Sequence, residues 1–237
     1  MYSVNFITDF EGCMADSEEN WIGMYSEWSN VLKEHKCTLS HEEIFQIVAE
    51  EDMKLGVDFH SDFPYANLIK RICERTQTNF SNEIVEEWQK GAEVLHRPAK
   101  LRQGFEQVLP LLTQPFYIVS DVSKNWIENT VKHWNLNVKD VVTGREYGTR
   151  DKKILYEKVL KKEEKNLILG DILYKDIRPA NELKSEYEIV TIHYPYKGKR
   201  LPWWDWVAKK YATENIKPDY TANDENLPKI FQKELFK

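Results

Sequence analysis

The stretch Val4-Asn5-Phe6-Ile7-Thr8-Asp9-Phe10-Glu11-Gly12-Cys13 runs from a largely apolar segment straight into an acidic turn. Two later segments repeat the layout. Phe116-Tyr117-Ile118-Val119 ends at Ser120-Asp121, and Leu167-Ile168-Leu169 ends at Gly170-Asp171, with Asp176 five residues on. Short apolar runs that stop at polar residues are the pattern of buried parallel strands, whose carboxyl ends form the edge where an open sheet binds ligands.

The chain between and around these segments completes the fold reading. From Pro98 helical and strand patterns alternate: helix over Phe105–Leu112, strand to Val119, helix over Trp126–Trp134, strand over Val138–Val142, helix over Ile154–Leu160, strand over Leu167–Leu169, helix over Asp176–Leu183 and strand over Tyr187–Ile192. That alternation predicts an α/β fold, a Rossmann-like parallel sheet with helices on both faces. Pro218-Asp219-Tyr220 reads as a last edge element before a closing amphipathic helix. Between the first strand and Pro98 only helix signals occur. Ser40-His41-Glu42-Glu43 has capping-box spacing, Pro64 can open a helix carrying Leu68, Ile69 and Ile72, and Ser81-Asn82 can cap one with Ile84, Val85 and Trp88. Residues 1–16 and 98–237 are therefore expected to form the sheet domain and residues 17–97 an all-helical insertion.

Composition excludes several classes. With 237 residues, 41% hydrophobic and 30% charged, the chain can bury a sizeable core and is neither disordered nor fibrous. A net charge of −6 argues against a nucleic-acid surface, although a small anion needs only a local positive pocket. Three cysteines, odd in number and without a CxxC pair, fit reduced thiols better than a disulfide framework or a zinc site. No basic-then-apolar leader pattern opens the chain and no apolar run approaches the ~20 residues of a membrane span. The expectation is a cytoplasmic protein, without membrane or nucleic-acid partners.

At a strand end, the Asp9 carboxylate can attack phosphorus, splitting one hard displacement into two easier ones. Glu11 lies two residues on, on the same side of an extended chain, and can protonate a leaving oxygen and later deprotonate water. Ser120, with the backbone N–H groups that follow from Asp121 onward, can hold phosphoryl oxygens. Lys152 can neutralise the charge on nucleophile and phosphate, with Lys153 a close competitor. Asp171, with Asp176 nearby, offers the hard oxygens that Mg2+ prefers. Each segment alone has a bland alternative, since acidic turns, serine turn initiators and helix-start lysines are ordinary surface chemistry.

The joint order is more specific. Strand-DxEG, strand-Ser, Lys and strand-GDxxxxD resemble the four motifs of the haloacid dehalogenase-like (HAD) hydrolase superfamily, over roughly residues 1–16 and 98–195, with the helical insertion where that superfamily carries its C1-type cap. The resemblance implies a Mg2+-dependent phosphatase working through an aspartyl-phosphate on a small phosphorylated metabolite, with the cap closing to exclude water. It makes Asp9 nucleophile and metal ligand, Glu11 acid/base and metal ligand through its backbone carbonyl, Ser120 and Lys152 phosphate binders, Asp171 a metal-binding acid and Asp176 its neighbour at the metal, held behind the ligands or acting through water. Two positions depart from the usual DxDGT. Glu11 replaces Asp, as in the similar DxEGT of enolase-phosphatase members, and Cys13 replaces Thr. Dehalogenases carry an aromatic residue and phosphonatases an alanine at the Glu11 position, so an acid there favours phosphoryl transfer. The alternative is a weak or inactive member that binds a phosphorylated ligand or protein partner. Substrate choice would fall to the insertion, with Lys70, Arg71, Trp21, Tyr25, Trp28 and Tyr65 as candidates. Asp58, His60 and Asp62 read as linker polarity, and the tryptophans of the run 193–204 as packing for a C-terminal helix through Trp206 and Val207.

Overall fold

The computed structural model describes residues 4–57, 66–92, 97–149, 151–198 and 215–236. Six parallel strands form one sheet: β1 (Val4–Thr8), β4 (Phe116–Ser120), β5 (Val138–Thr143), β6 (Lys165–Gly170), β7 (Ile189–His193) and β8 (Tyr220–Thr221). Their order is β5-β4-β1-β6-β7-β8, so β1 is central, between the strands that carry Ser120 and Asp171. Thr8 pairs with Ile118 on one side and Leu169 on the other, and Gly170 with His193. This register brings the carboxyl ends of the central strands to one edge.

Alternation along β1 builds the core on both faces. Ile7 faces a cluster with Val119, Val142, Leu155, Tyr156, Ile168 and Leu183. On the other side, Phe6 meets Phe231 edge-on at 4.9 Å and Phe116 at 5.6 Å. Phe231 belongs to the helix Leu227–Leu235, the closing amphipathic helix expected from the sequence.

The described chain divides into two compact units, one containing the sheet and the other made of Glu18–Arg97 together with Gly198, which the sequence reading places in the sheet domain. In the second, α1 (Glu18–Glu34), α2 (His41–Val57), α3 (Ala66–Thr76) and α4 (Asn82–Ala92) pack together. The Ser40 box forms reciprocally: the Ser40 N–H donates to Glu43 at 2.8 Å and the Glu43 N–H to the Ser40 hydroxyl at 3.2 Å. Trp28 and Trp88 lie 4.7 Å apart at their centroids, and the Trp28 indole donates to the Trp88 carbonyl at 3.0 Å. No described helix is long and apolar enough to cross a membrane.

Three local features differ from the sequence reading. The helix expected over Ile154–Leu160 is a short helix, Lys152–Tyr156, which Asp151 caps by accepting from the Lys153 N–H at 2.9 Å. It ends in three-residue turns, Lys158 N–H to Leu155 and Val159 N–H to Tyr156. The helix expected from Asp176 begins earlier as a wide π-turn, Leu173–Ile177, and continues as the helix Arg178–Glu182, where Pro179 cannot donate to an earlier carbonyl. Two strands of two residues, β2 (Ala15–Asp16) and β3 (Lys100–Leu101), pair antiparallel where the chain leaves and re-enters the sheet unit. They are too short to show a period in sequence.

Candidate active site

Asp9 leaves β1 with its N–H still bonded to the Leu169 carbonyl at 3.0 Å, so the sheet fixes the start of the acidic turn. Lys152, 3% exposed, places its ammonium 2.9 Å from Asp9 Oδ1 and 2.5 Å from Asp176 Oδ1. The helix start that Asp151 caps turns Lys152 inward and leaves Lys153 outside, 4.0 Å from Glu182. Of the two competing lysines, the structure brings Lys152 to the acids. Asp176 uses its second oxygen to accept the Ile172 N–H at 2.8 Å. A side chain on Gly170 would sit 2.2 Å from Asp176 Cβ, so the Gly of the GDxxxxD segment makes room for this return.

One carboxylate oxygen of Asp9, one of Asp171 and Cys13 Sγ lie within 4.8 Å of one another. All three residues are buried, and Asp171 Oδ1 has no hydrogen-bond partner. Gly12 adopts φ +69°, and a Cβ there would lie 2.1 Å from Asp171 Oδ2, so the turn needs glycine for both conformation and space.

The electrostatics are lopsided. Burial raises Asp9 from the ordinary 3.8 to about 6, the charge of Asp176 adds to the rise, and Lys152 and a Ser120 hydroxyl hydrogen bond oppose it. Asp171 is pushed well above the carboxylate range by burial and by the charges of Asp176 and Asp9. Burial works against the Lys152 charge, but Asp176 and Asp9 outweigh it and hold the ammonium. Asp9 and Asp176 thus pair with the one buried ammonium, and the third carboxylate, Asp171, clusters with Asp9. A divalent cation would balance the excess, and the clustered carboxylates of Asp9 and Asp171, the latter with an unsatisfied oxygen, offer it hard donors. The residues fit magnesium.

The other expected residues take distinct places. Glu11 accepts from the Ser17 hydroxyl at 3.1 Å, and its carboxylate is not in the Asp9–Cys13–Asp171 group. Asp176 is likewise outside that group: both its oxygens are occupied within the protein, so it orients Lys152 instead of offering a direct ligand. Ser120 is buried beside Asp9, whereas the Asp121 side chain turns to Lys175 at 3.8 Å and leaves only its N–H suited to an anion. Trp21, Tyr25 and Trp28 are buried, with Tyr25 packed edge-on to Phe45, so these aromatics build the helical unit's core. Arg71 pairs with Glu51 at 3.6 Å. Asp58, His60, Asp62, Pro64, Tyr65, Trp203, Trp204, Trp206 and Val207 lie outside the described residues.

Sequence reasoning missed Arg102. Its guanidinium donates to the carbonyls of Gly12, Tyr194 (3.1 Å) and Pro195 (3.4 Å), and it lies 3.4 Å from the Tyr194 ring centroid and 5.3 Å from that of Tyr196. The aromatic pair after β7 was the available signal, but nothing in sequence links it to an arginine ninety residues earlier. His193 joins the same edge, its Nε2–H donating to the Asp171 carbonyl at 2.9 Å; burial lowers its pKa and favours the neutral ring.

No protein-family model matches this sequence, and neither does any curated protein. Solved structures do. A protein described as a HAD hydrolase, YfnB of Bacillus subtilis bound to magnesium, is 14% identical with a TM-score of 0.67, covering 98% of this chain and 99% of that one. A haloacid dehalogenase-like hydrolase of Burkholderia xenovorans is 12% identical at 0.66, with 100% and 98% covered. L-2-haloacid dehalogenase of Xanthobacter autotrophicus is 12% identical at 0.61, with 98% and 99% covered. The sheet order, the acids at its carboxyl edge and these neighbours agree, and the chain has the fold of the haloacid dehalogenase-like hydrolases.

Proposed function

We propose that this protein is a magnesium-dependent phosphatase of small phosphorylated metabolites. The observation that carries the reading is the buried arrangement in which Asp9 meets Lys152 at 2.9 Å and clusters with Asp171, a carboxylate with an unsatisfied Oδ1. An Asp9 oxygen forms a bond to phosphorus as the bond to the leaving oxygen breaks, and Glu11 gives that oxygen its proton. Glu11 then takes a proton from water, whose oxygen attacks the phosphorus and releases Asp9 with free phosphate. Lys152 and Ser120 hold the phosphoryl oxygens, with the N–H of Asp121 beside them. Asp9, Asp171 and the Glu11 carbonyl would hold magnesium, which supplies positive charge to the phosphoryl group.

A second reading is hydrolytic dehalogenation, which the haloacid dehalogenases among the neighbours favour; one of them carries chloropropionic acid covalently bound. Halide is a weak base and leaves without a proton, so that chemistry has no use for Glu11. The deciding experiment assays one preparation for phosphate release from a panel of phosphorylated metabolites with and without magnesium, and for chloride release from 2-chloropropionate. Magnesium-dependent phosphate release supports the phosphatase. Chloride release, or neither product from a well-folded preparation, overturns it, the latter in favour of a binding protein.

A further inference from the structure

We propose that the Asp9–Asp171 pocket is a mixed thiolate and carboxylate site, in which Cys13 joins the two acids around a thiophilic divalent cation such as zinc or cadmium. Cys13 stands on the same turn as Asp9, at 0% exposure, and its Sγ lies within 4.8 Å of an oxygen of each acid. Hydrogen bonds from the Gly12 N–H to the Ala15 carbonyl and from the Met14 N–H to the Phe10 carbonyl hold that turn. Independently, Asp171, only 6% exposed, offers the group an oxygen from a carboxylate whose Oδ1 no protein atom satisfies.

Donors about 2.0–2.3 Å from a tetrahedral ion stand about 3.5 Å apart, and the three donor atoms here already lie within 4.8 Å of one another. Magnesium takes oxygen and makes no use of the sulfur, whereas zinc and cadmium bond it strongly. On binding, the sulfur–metal bond replaces the S–H bond and the thiol proton passes to solvent. A hydroxyl at this position would give no such bond. Because the ion would also hold Asp9, zinc should inhibit any reaction in which Asp9 attacks. The inference rests on the same pocket as the phosphatase reading but not on its chemistry.

The test titrates the metal-free full chain with cadmium, following the ultraviolet thiolate-to-cadmium charge-transfer band and measuring affinity by calorimetry, with magnesium titrated in parallel. One cadmium should bind with the band. Cys13→Ser and Cys13→Ala should each lose the band and at least the 10- to 100-fold in cadmium affinity that loss of even an outer partner costs, while magnesium affinity holds. A Cys37→Ser/Cys73→Ser variant should keep the band. If the band survives both Cys13 variants, or cadmium affinity is unchanged in them, the site is not this one. Absence of magnesium-dependent phosphate release beside a Cys13-dependent band would sink the phosphatase reading alone.

Discussion

Glu50 and Glu51 in the helical unit and Asp9, Asp171 and Asp176 at the sheet edge are both groups of acids with buried members, and only the first has cations to match. Arg75 reaches Glu50 at 2.8 Å and Glu51 at 2.7 Å, while Lys54 and Arg71 approach Glu51 at 2.7 Å and 3.6 Å. Burial alone would raise Glu51, but the hydrogen bonds from Lys54 and Arg75 overcome it and its pKa is lowered. At the sheet edge the same burial wins, and Asp9 and Asp171 are raised. The helical group is satisfied and serves stability. The sheet-edge group stores unmet charge that a cation or a transferring phosphoryl group can use, which is how functional sites depart from rules kept elsewhere in a fold.

Substitution at the two groups should therefore act in opposite ways. Asp9→Asn removes the nucleophile and should cut phosphate release by about 10³-fold or more, yet leave the thermal midpoint of the metal-free protein unchanged or higher, because one buried like charge has gone. Glu51→Gln should lose about 1–3 kcal/mol of stability, since its cations lose charged hydrogen bonds, and the midpoint should fall by several degrees. Calorimetry on both variants would break the contrast if Asp9→Asn proved the less stable of the two.

The leaving-group acid gives the next largest effect. Glu11→Gln should slow esters of poor leaving groups by about 10²- to 10⁴-fold and an activated aryl phosphate far less, with Glu11→Asp intermediate. Equal losses on both substrates would assign Glu11 to the turn's structure.

Magnesium sharpens the comparison through pH. Between 3.8 and about 6 the native Asp9 binds more protons than the unfolded chain, so its contribution to stability falls as pH rises through that window. Glu51 runs the other way, its contribution being present above the ordinary range and lost as pH falls through its lowered value. A cation that relieves the sheet edge should stabilise most where Asp9 is ionised. Magnesium at a thousandfold excess over its dissociation constant is worth about 4 kcal/mol, and the gain in midpoint should be larger above about pH 7 than near pH 5. Asp171→Asn should remove most of that gain, and an unchanged magnesium titration would exclude Asp171 as a ligand.

Much of this contrast is legible in the sequence, for physical reasons. Strand ends announce themselves because apolar runs must stop where the sheet meets water, which exposes Asp9, Ser120 and Asp171 to a reader. The Ser40 box is legible because capping is local. The choice of Lys152 over Lys153 needed the Asp151 cap to set the helix phase. The aromatics Trp21, Tyr25 and Trp28 have no sequence mark that separates core from binding face, and the π-turn that brings Asp176 back to Lys152 has no period to read.

Arg102 is the residue that sequence could least disclose, and its prediction is the subtlest. Its guanidinium meets the acidic turn at the Gly12 carbonyl, its backbone N–H donates to the Met14 carbonyl at 2.9 Å, and its charge is held over the Tyr194 ring and by Asp224 at 3.6 Å. Its role is to position the turn that carries Glu11. Lysine keeps the charge but loses the planar fork and the flat face that stacks on tyrosine. Loss of such a contact is worth about 1–2 kcal/mol, or about 5- to 30-fold, and it should appear in kcat with KM little changed. Because the displaced group is the acid, Arg102→Lys should lose more on poor leaving groups than on an activated aryl phosphate, and that difference should vanish in a Glu11→Gln background. A loss confined to thermal stability, with kcat intact, would reduce Arg102 to a staple between the turn and the segment after β7.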